Sequence, residues 1–354
     1  MNTHFWAGRK VFLTGHTGFK GAWLCMLLHR LGAKVTGFSL PPPTQPNLFE
    51  LAGLNEIVTT IRGDVRDLNA LRDAFNQSDA QIVIHMAAQS LVRESYRDPA
   101  GTFAANVMGT VHLLEAVRRA EDQVRAIVVV TTDKCYQNKE WIWGYRENES
   151  LGGHDPYSSS KACAELVTAA YRTAFFSSNK AAVATARSGN VIGGGDWAID
   201  RLIPDMIRAF TTGAPALLRN PKSIRPWQFV LEPLVGYLAL AERLASAGQA
   251  FAEPFNFGPA EADAKPVEWI ADQLVREWGP EARWEAAGGE HPHEANSLKL
   301  DAAKARALLG WKPRSDLSSA LTWIADWYKA VHLGEDARSV CNRQITAFLE
   351  LGQG

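Results

Sequence analysis

Two short stretches hold residue types that can move protons. In YSSSK, Tyr157 and Lys161 stand four residues apart, so on a helix they share one face. An ammonium beside a phenol favours the phenolate and lowers the tyrosine from its reference pKa of about 10 toward a range useful to a general base. In TTDKCYQNK, Asp133 and Lys134 stand side by side just after the apolar run AIVVV. A carboxyl and an amine can form an acid–base pair, but their reference pKa values of about 3.9 and about 10.4 put each on the wrong side of neutrality. Desolvation must raise the acid while the adjacent ammonium lowers it, and a proton-sharing pair with coupled titration reconciles the two. Successive strand side chains point to opposite faces, so both groups reach one substrate only if the strand end bends out of alternation. The competing reading of the pair is a plain surface salt bridge.

A third stretch, TGHTGFKG, puts Gly15, Gly18 and Gly21 between a first strand and a first helix. Glycines there let the backbone turn sharply and approach a pyrophosphate, while the helix N-terminus offers amides and a favourable dipole. The spacing is Gly-x-x-Gly-x-x-Gly rather than Gly-x-Gly-x-x-Gly, but the strand–turn–helix position is the context a dinucleotide site requires; the competing reading is glycines serving only a tight turn and close helix packing. Thr17 and Phe19 belong to the same loop. The second strand ends in GFSLPPPTQ, with neither the acid that grips an NAD ribose nor the arginine that accepts the extra phosphate of NADP, so Ser39 is the candidate ribose contact. Asp64, in RGDVRD, is placed by chain order to accept from the adenine amino group. Val65, the pair Ala87–Ala88 of HMAAQ, and Tyr157 with Lys161, whose ammonium can reach the nicotinamide ribose hydroxyls, complete the candidate cofactor contacts.

These residues need a scaffold that brings strand ends together. KVFLTG, KVTGFSL, QIVIHMAAQ, RAIVVVTT and AAVATARSGNVIG read as strands. They alternate with helical patterns starting at Trp23, spanning about 68–76, running along NVMGTVHLLEAVRRA, and spanning 157–176. That alternation requires crossover connections and a mainly parallel sheet. The expected fold is therefore α/β, a Rossmann-type doubly wound parallel sheet with a smaller mixed C-terminal domain. Residues 1–190 would form the nucleotide-binding domain, with possible later segments returning to it, and 191–354 mainly the substrate domain. FGPAEADAKPV, at 257–267, reads as a flexible surface stretch.

Composition narrows the class. The 354 residues are 46% hydrophobic, and 37 Lys and Arg against 38 Asp and Glu leave a net charge of −1, which argues against nucleic acid as a partner. No run approaches the roughly 18–20 apolar residues that span a bilayer, and MNTHFWAGRKVFLTG lacks the regions of a signal peptide, so a cytoplasmic protein is expected. Cys25, Cys135, Cys163 and Cys341 are scattered without paired spacing, and the HPH around His293 lacks further ligands, so no metal is expected.

Beyond these readings, the chain resembles the extended short-chain dehydrogenase/reductases and, among them, the nucleotide-sugar 4,6-dehydratases, most closely those acting on CDP-glucose. The resemblance runs nearly end to end, through TGHTGFKG, HMAAQSLVRESY, NVMGT, TTDKCYQNKEWIWGYRE, DPYSSSK, RSGNVIGGGDW, RLIP, SIRPWQ, NFGP and HPHEA. Such dehydratases commonly carry glutamate after the Thr-Asp pair. Lys134 departs from that pattern in the way the CDP-glucose group does.

The resemblance implies NAD as cofactor, CDP-glucose as substrate and a homo-oligomer of at least two subunits, joined through the helices around 104–119 and 158–175. It also implies roles. Tyr157 with Lys161 deprotonates the sugar O4 as C4 is oxidised, and Thr132 polarises the developing ketone. Lys134 then takes the C5 proton, Asp133 protonates the departing C6 hydroxyl, and the hydride returns to C6. Arg225 of SIRPWQ, with Arg219, Arg201, Asn190 and His293, would hold the substrate's diphosphate, ribose and sugar, since guanidinium forks match phosphate oxygens. Trp141 and Trp143 either line the sugar pocket or pack structurally.

Two other readings stay open. A 4-epimerase would share the glycine loop, Tyr157 and Lys161, but has no need of Asp133 and Lys134. A noncatalytic NAD(H)-binding regulatory protein would bind the dinucleotide without turnover.

Overall fold

The computed structural model describes residues 2–119, 123–177, 181–288 and 297–352. The first six strands are β1 (Lys10–Thr14), β2 (Lys34–Ser39), β3 (Thr59–Arg62), β4 (Ile82–His85), β5 (Ala126–Val130) and β6 (Ala182–Ser188). Every residue of β4, β5 and β6 is buried. That explains their almost continuous apolar sequences, because helices cover both faces of a parallel sheet. β7 (Asn190–Ile192), β8 (Ala216–Leu218) and β9 (Ile224–Phe229) follow in the second lobe. The chain then returns, and β10 (Pro254–Phe257) pairs in parallel with β6 to complete a seven-stranded parallel sheet of order β3-β2-β1-β4-β5-β6-β10. Residue 190 is thus not a clean cut between lobes.

The order reverses direction between β1 and β4, where an open α/β sheet forms a ligand crevice beyond its strand ends. β11 (Ala264–Pro266) runs antiparallel to β9, which is parallel to β7, and β12 (Trp284–Ala286) pairs with β8. The stretch expected to be a flexible surface loop therefore holds a paired strand. Its residues 264–266 are tied to the strand that carries Arg225. One apolar core runs from Val11 and Trp23 under β1 to Trp327, Ile345 and Phe348 near the C-terminus, so the second lobe is packed on the first.

Helix ends follow local chemistry. The helix Phe19–Arg30 starts at Gly18 and has Arg30 in its last turn, a cation that suits a C-terminal dipole. The helix Pro156–Tyr171 has Pro156 in its first turn and Asp155 as N-cap, accepting from the Ser158 amide. The single helix expected through NVMGT is interrupted. A π-helical turn, Ala104–Met108, joins Pro99–Phe103 to Gly109–Arg118. It buries Asn106, whose side chain accepts from the Gln89 amide and donates to Gln89 O and to Ser160 Oγ at 2.8 Å. No helix among the described residues is long and apolar enough to cross a membrane.

Candidate active site

The bend required after β5 is present. The chain leaves β5 and folds into a one-turn 3₁₀ helix, Asp133–Cys135, whose N-cap is Thr132. This turn breaks strand alternation, and both Asp133 and Lys134 line the same cleft as Tyr157. Asp133 is buried, with Oδ1 accepting from Thr132 Oγ1 at 2.9 Å and Oδ2 lacking a hydrogen-bond partner among the described residues. Burial pushes its carboxyl above the usual carboxylate range, outweighing the lowering effects of Lys134, the Thr132 hydroxyl and Arg225. The two expected influences on this acid are both present, and desolvation wins. Lys134 Nζ sits 5.9 Å from the centre of the Tyr157 ring.

Tyr157 and Lys161 occupy one face of the helix Pro156–Tyr171, and both are buried. Burial pushes the Tyr157 phenol up to about 12, ahead of a hydrogen bond with Thr132 that lowers it. The expected lowering by Lys161 does not figure among the causes, so the sequence-based picture of a phenol already eased toward ionisation is corrected: desolvation dominates. Lys161 donates to Val130 O at 3.3 Å. Burial brings its ammonium down to about 8, against the raising effect of Glu165.

The cleft has a volume of about 1410 Å³. At one end lie Gly15, Thr17, Gly18, Phe19 and Gly21, then Ser39, Asp64, Val65, Ala87 and Ala88. Gly15 has φ +77°, and a Cβ there would come within 2.7 Å of Ala87 N; one on Gly21 would meet Gly15 O at 2.2 Å. Both glycines let the loop, the helix start and the end of β4 close up. Gly18 caps the helix Phe19–Arg30 without a side-chain bond, leaving first-turn amides facing an open cleft, which fits a dinucleotide pyrophosphate. Two contacts are less direct than the sequence implies. Ser39 Oγ is bonded to Thr17 Oγ1 at 2.8 Å, stitching the glycine loop to β2. Asp64 is held by Arg66 through the backbone amide, Nε and Nη2, which keeps its carboxyl below the usual range.

At the other end of the cleft stand Asn190, Arg201, Arg219 and Arg225. Arg201 pairs with Asp196 at 2.9 Å and reaches Ser90 Oγ, while Arg219 pairs with Asp200 at 2.8 Å. Arg225 is buried on β9, with Nη1 donating to Ile224 O. His293 lies outside the described residues. Trp141 and Trp143 are not among the described residues lining the cleft. Trp141 stacks on Tyr145, and Trp143, 65% exposed, meets Trp141 edge-on.

Two cleft residues were not singled out from sequence. Arg93 reaches the Asp200 oxygen that Arg219 bonds, at 3.4 Å. Lys20, partly buried, donates to Ser188 Oγ at 3.3 Å and to Tyr237 OH at 2.9 Å, and loss of solvation brings its ammonium down to about 7. A lysine inside the glycine motif, where the helix turns inward, was the available signal.

A glycine cradle at the switch point, a Tyr-x-x-x-Lys face and an acid–amine turn share one cleft, the arrangement of a candidate dinucleotide-dependent active site. In keeping with that, the chain belongs to the NAD dependent epimerase/dehydratase family, whose sequence pattern matches residues 11–257. Membership makes NAD its cofactor. Over 354 residues the chain is 51% identical to a CDP-glucose 4,6-dehydratase of Salmonella typhimurium, covering 99% of this chain and 98% of that protein. It is 27% identical to a dTDP-glucose 4,6-dehydratase of Mycolicibacterium smegmatis, covering 91% and 93%. Among solved structures, the NAD complex of dTDP-glucose 4,6-dehydratase from Bacillus anthracis superposes with a TM-score of 0.75 at 21% identity, covering 94% of this chain and all (100%) of that one. At that identity the likeness speaks for the fold alone, which is the expected Rossmann-type sheet with a smaller C-terminal domain.

Proposed function

We propose that this protein converts CDP-glucose to CDP-4-dehydro-6-deoxyglucose and water. The observation that carries the reading is the turn Asp133–Cys135, which sets an acid and an amine beside Tyr157 in one cleft. NAD held in the glycine cradle supplies a hydride acceptor for C4 and then a donor for C6. Tyr157, with Lys161 on the same helix face, removes the O4 proton, and the Thr132 hydrogen bond eases a phenol that burial raises. Thr132 hydrogen-bonds the oxygen that becomes the 4-ketone. That ketone acidifies C5–H, Lys134 takes the proton, and Asp133, whose carboxyl burial pushes above the usual carboxylate range, delivers one to the leaving C6 hydroxyl. A proton returned to C5 completes the product.

Arg219, Arg225 and Arg201 hold the substrate diphosphate, with Asn190 and His293 as further contacts. The choice of CDP is supported by the 51% identity to the Salmonella protein of that name. A cytoplasmic setting accords with four free cysteines, Cys25, Cys135, Cys163 and Cys341. A homodimer accords with Phe103, Met108, Leu166 and Phe175, apolar side chains exposed on and beside the helices at 99–118 and 156–171.

The test is to incubate the purified protein with CDP-, dTDP-, UDP- and GDP-hexoses in D2O and follow products by mass spectrometry and NMR. Water loss from CDP-glucose, with deuterium entering at C5, is expected. Inversion at C4 without water loss would make the protein an epimerase. Binding of NAD and sugar nucleotide with no reaction would make it noncatalytic.

A further inference from the structure

We infer that the buried ion pair Glu165–Arg187 is a positioning device for the water-elimination steps, clamping the turn that carries Asp133 and Lys134 from both of its ends. The inference rests on the dehydratase reading above. Neither side chain lines the cleft, and the mechanism uses neither.

The pair is closed from solvent, with both side chains 2% exposed and Arg187 Nη2 2.8 Å from Glu165 Oε2. Glu165 accepts two more hydrogen bonds, from Thr185 Oγ1 at 2.7 Å and from Thr131 Oγ1. Thr131 is the residue before Thr132, so this bond fixes the entry to the turn. Arg187 Nη1 donates to Tyr136 OH at 2.8 Å and to Glu147 O at 3.1 Å, and its guanidinium lies over the Tyr136 ring. Tyr136 follows Cys135, so this second set fixes the exit. Tyr136 OH donates onward to Asn256 Oδ1 at 2.7 Å, and its ring stacks on Tyr145, which stacks on Trp141. The turn Asp133–Cys135 is thus held between two anchors joined by a single ion pair.

Stability is a weak reason for such a pair, since well-packed apolar residues commonly replace a buried ion pair at no loss. Placement is a stronger one, because displacing a reacting group by about 1 Å costs on the order of 10²-fold in rate. The geometry also separates two roles. Glu165 follows Lys161 by four residues on the same helix face, so it serves both the oxidation side of the site and the turn. Tyr136 follows the turn, and its bonds to Arg187 and Asn256 and its stacking on Tyr145 involve neither Tyr157 nor Lys161.

Two substitutions exploit this difference. Single turnovers are followed by reduced-nicotinamide absorbance for C4 oxidation and by mass for water loss, with thermal unfolding of each variant. Tyr136→Phe is expected to slow water loss on the order of 10²-fold while leaving C4 oxidation within about threefold, so that 4-ketosugar and reduced cofactor accumulate together. Glu165→Gln is expected to slow both. If it fails to fold, Tyr136→Phe carries the test alone. Ile345→Ala, in the remote C-terminal core, controls for loss of stability. Equal slowing of both steps by Tyr136→Phe, or losses no greater than those of Ile345→Ala at the same fall in Tm, would overturn the inference and leave the pair structural. Failure of the unsubstituted protein to release water would instead refute the dehydratase reading.

Discussion

In the proposed reaction, water loss draws on Asp133 and C4 oxidation does not. Its carboxyl is buried and raised, and one oxygen lacks a partner among the described residues, so it can present a proton where a leaving hydroxyl forms. Asp133→Asn keeps the shape and removes the acid. It is expected to lower dehydration by about 10²–10⁴-fold with C4 oxidation retained, read by stopped-flow absorbance against product mass. Equal loss of both steps would assign Asp133 to oxidation. Much of this was legible from local pattern: an i,i+4 Tyr–Lys face and an acid–amine dipeptide after an apolar run are visible in a few letters. Other residues depended on distant partners. Lys20 is placed by Ser188 and Tyr237, 168 and 217 residues further along, and Glu165 acquires its meaning only from Arg187, Thr131 and Thr185. The state of Tyr157 was misjudged because adjacency on a helix reveals the cation and conceals the burial.

At the scale of elements, the glycine loop is the joint between β1, the helix Phe19–Arg30 and the end of β4. Gly15→Ala would place a Cβ against Ala87 N at a backbone φ of +77°. The expected cost is about 1–3 kcal/mol of backbone strain, with a lower Tm and weaker NAD binding by calorimetry. Unchanged values for both would mean that the loop relaxes freely. The strands and their parallel order were readable because buried strands are written as apolar runs separated by helical periods. The π-helical turn Ala104–Met108 was not, since its residues keep an ordinary helical pattern. The deviation accompanies tertiary hydrogen bonds of Asn106 to Gln89 and Ser160. Strand β11 was hidden for a similar reason: the polar FGPAEADAKPV pairs with β9 by backbone, which composition does not record.

For the molecule as a whole, buried histidine links stability to pH. His85 is held between Thr14 and Thr110, and burial, followed by the charge of Lys161, lowers it from 6.5 to about 3. The unfolded chain therefore binds a proton that the folded chain refuses. The stability this contributes is whole above pH 6.5 and drains away as pH falls toward about 3. The expected slope is on the order of 1 kcal/mol per pH unit between pH 6 and 4, measured by urea unfolding, and it should flatten in His85→Gln. A slope unaffected by that substitution would assign the acid sensitivity elsewhere.

Assembly is testable at the same scale. Leu166 is 58% exposed on the helix Pro156–Tyr171, and in the proposed homodimer Leu166→Glu is expected to shift dimer toward monomer in sedimentation velocity. A monomeric unsubstituted protein would refute the homodimer, and a dimer unaltered by the substitution would place its interface on another face.

A single hydrogen can be followed through the proposed reaction, in which the hydride removed from C4 returns to C6 of the same sugar with no external reductant. With CDP-glucose deuterated at C4, the label should emerge at C6 of the 4-dehydro-6-deoxy product while the reduced cofactor is only transient. Label released into free reduced nicotinamide, or retained at C4, would contradict it.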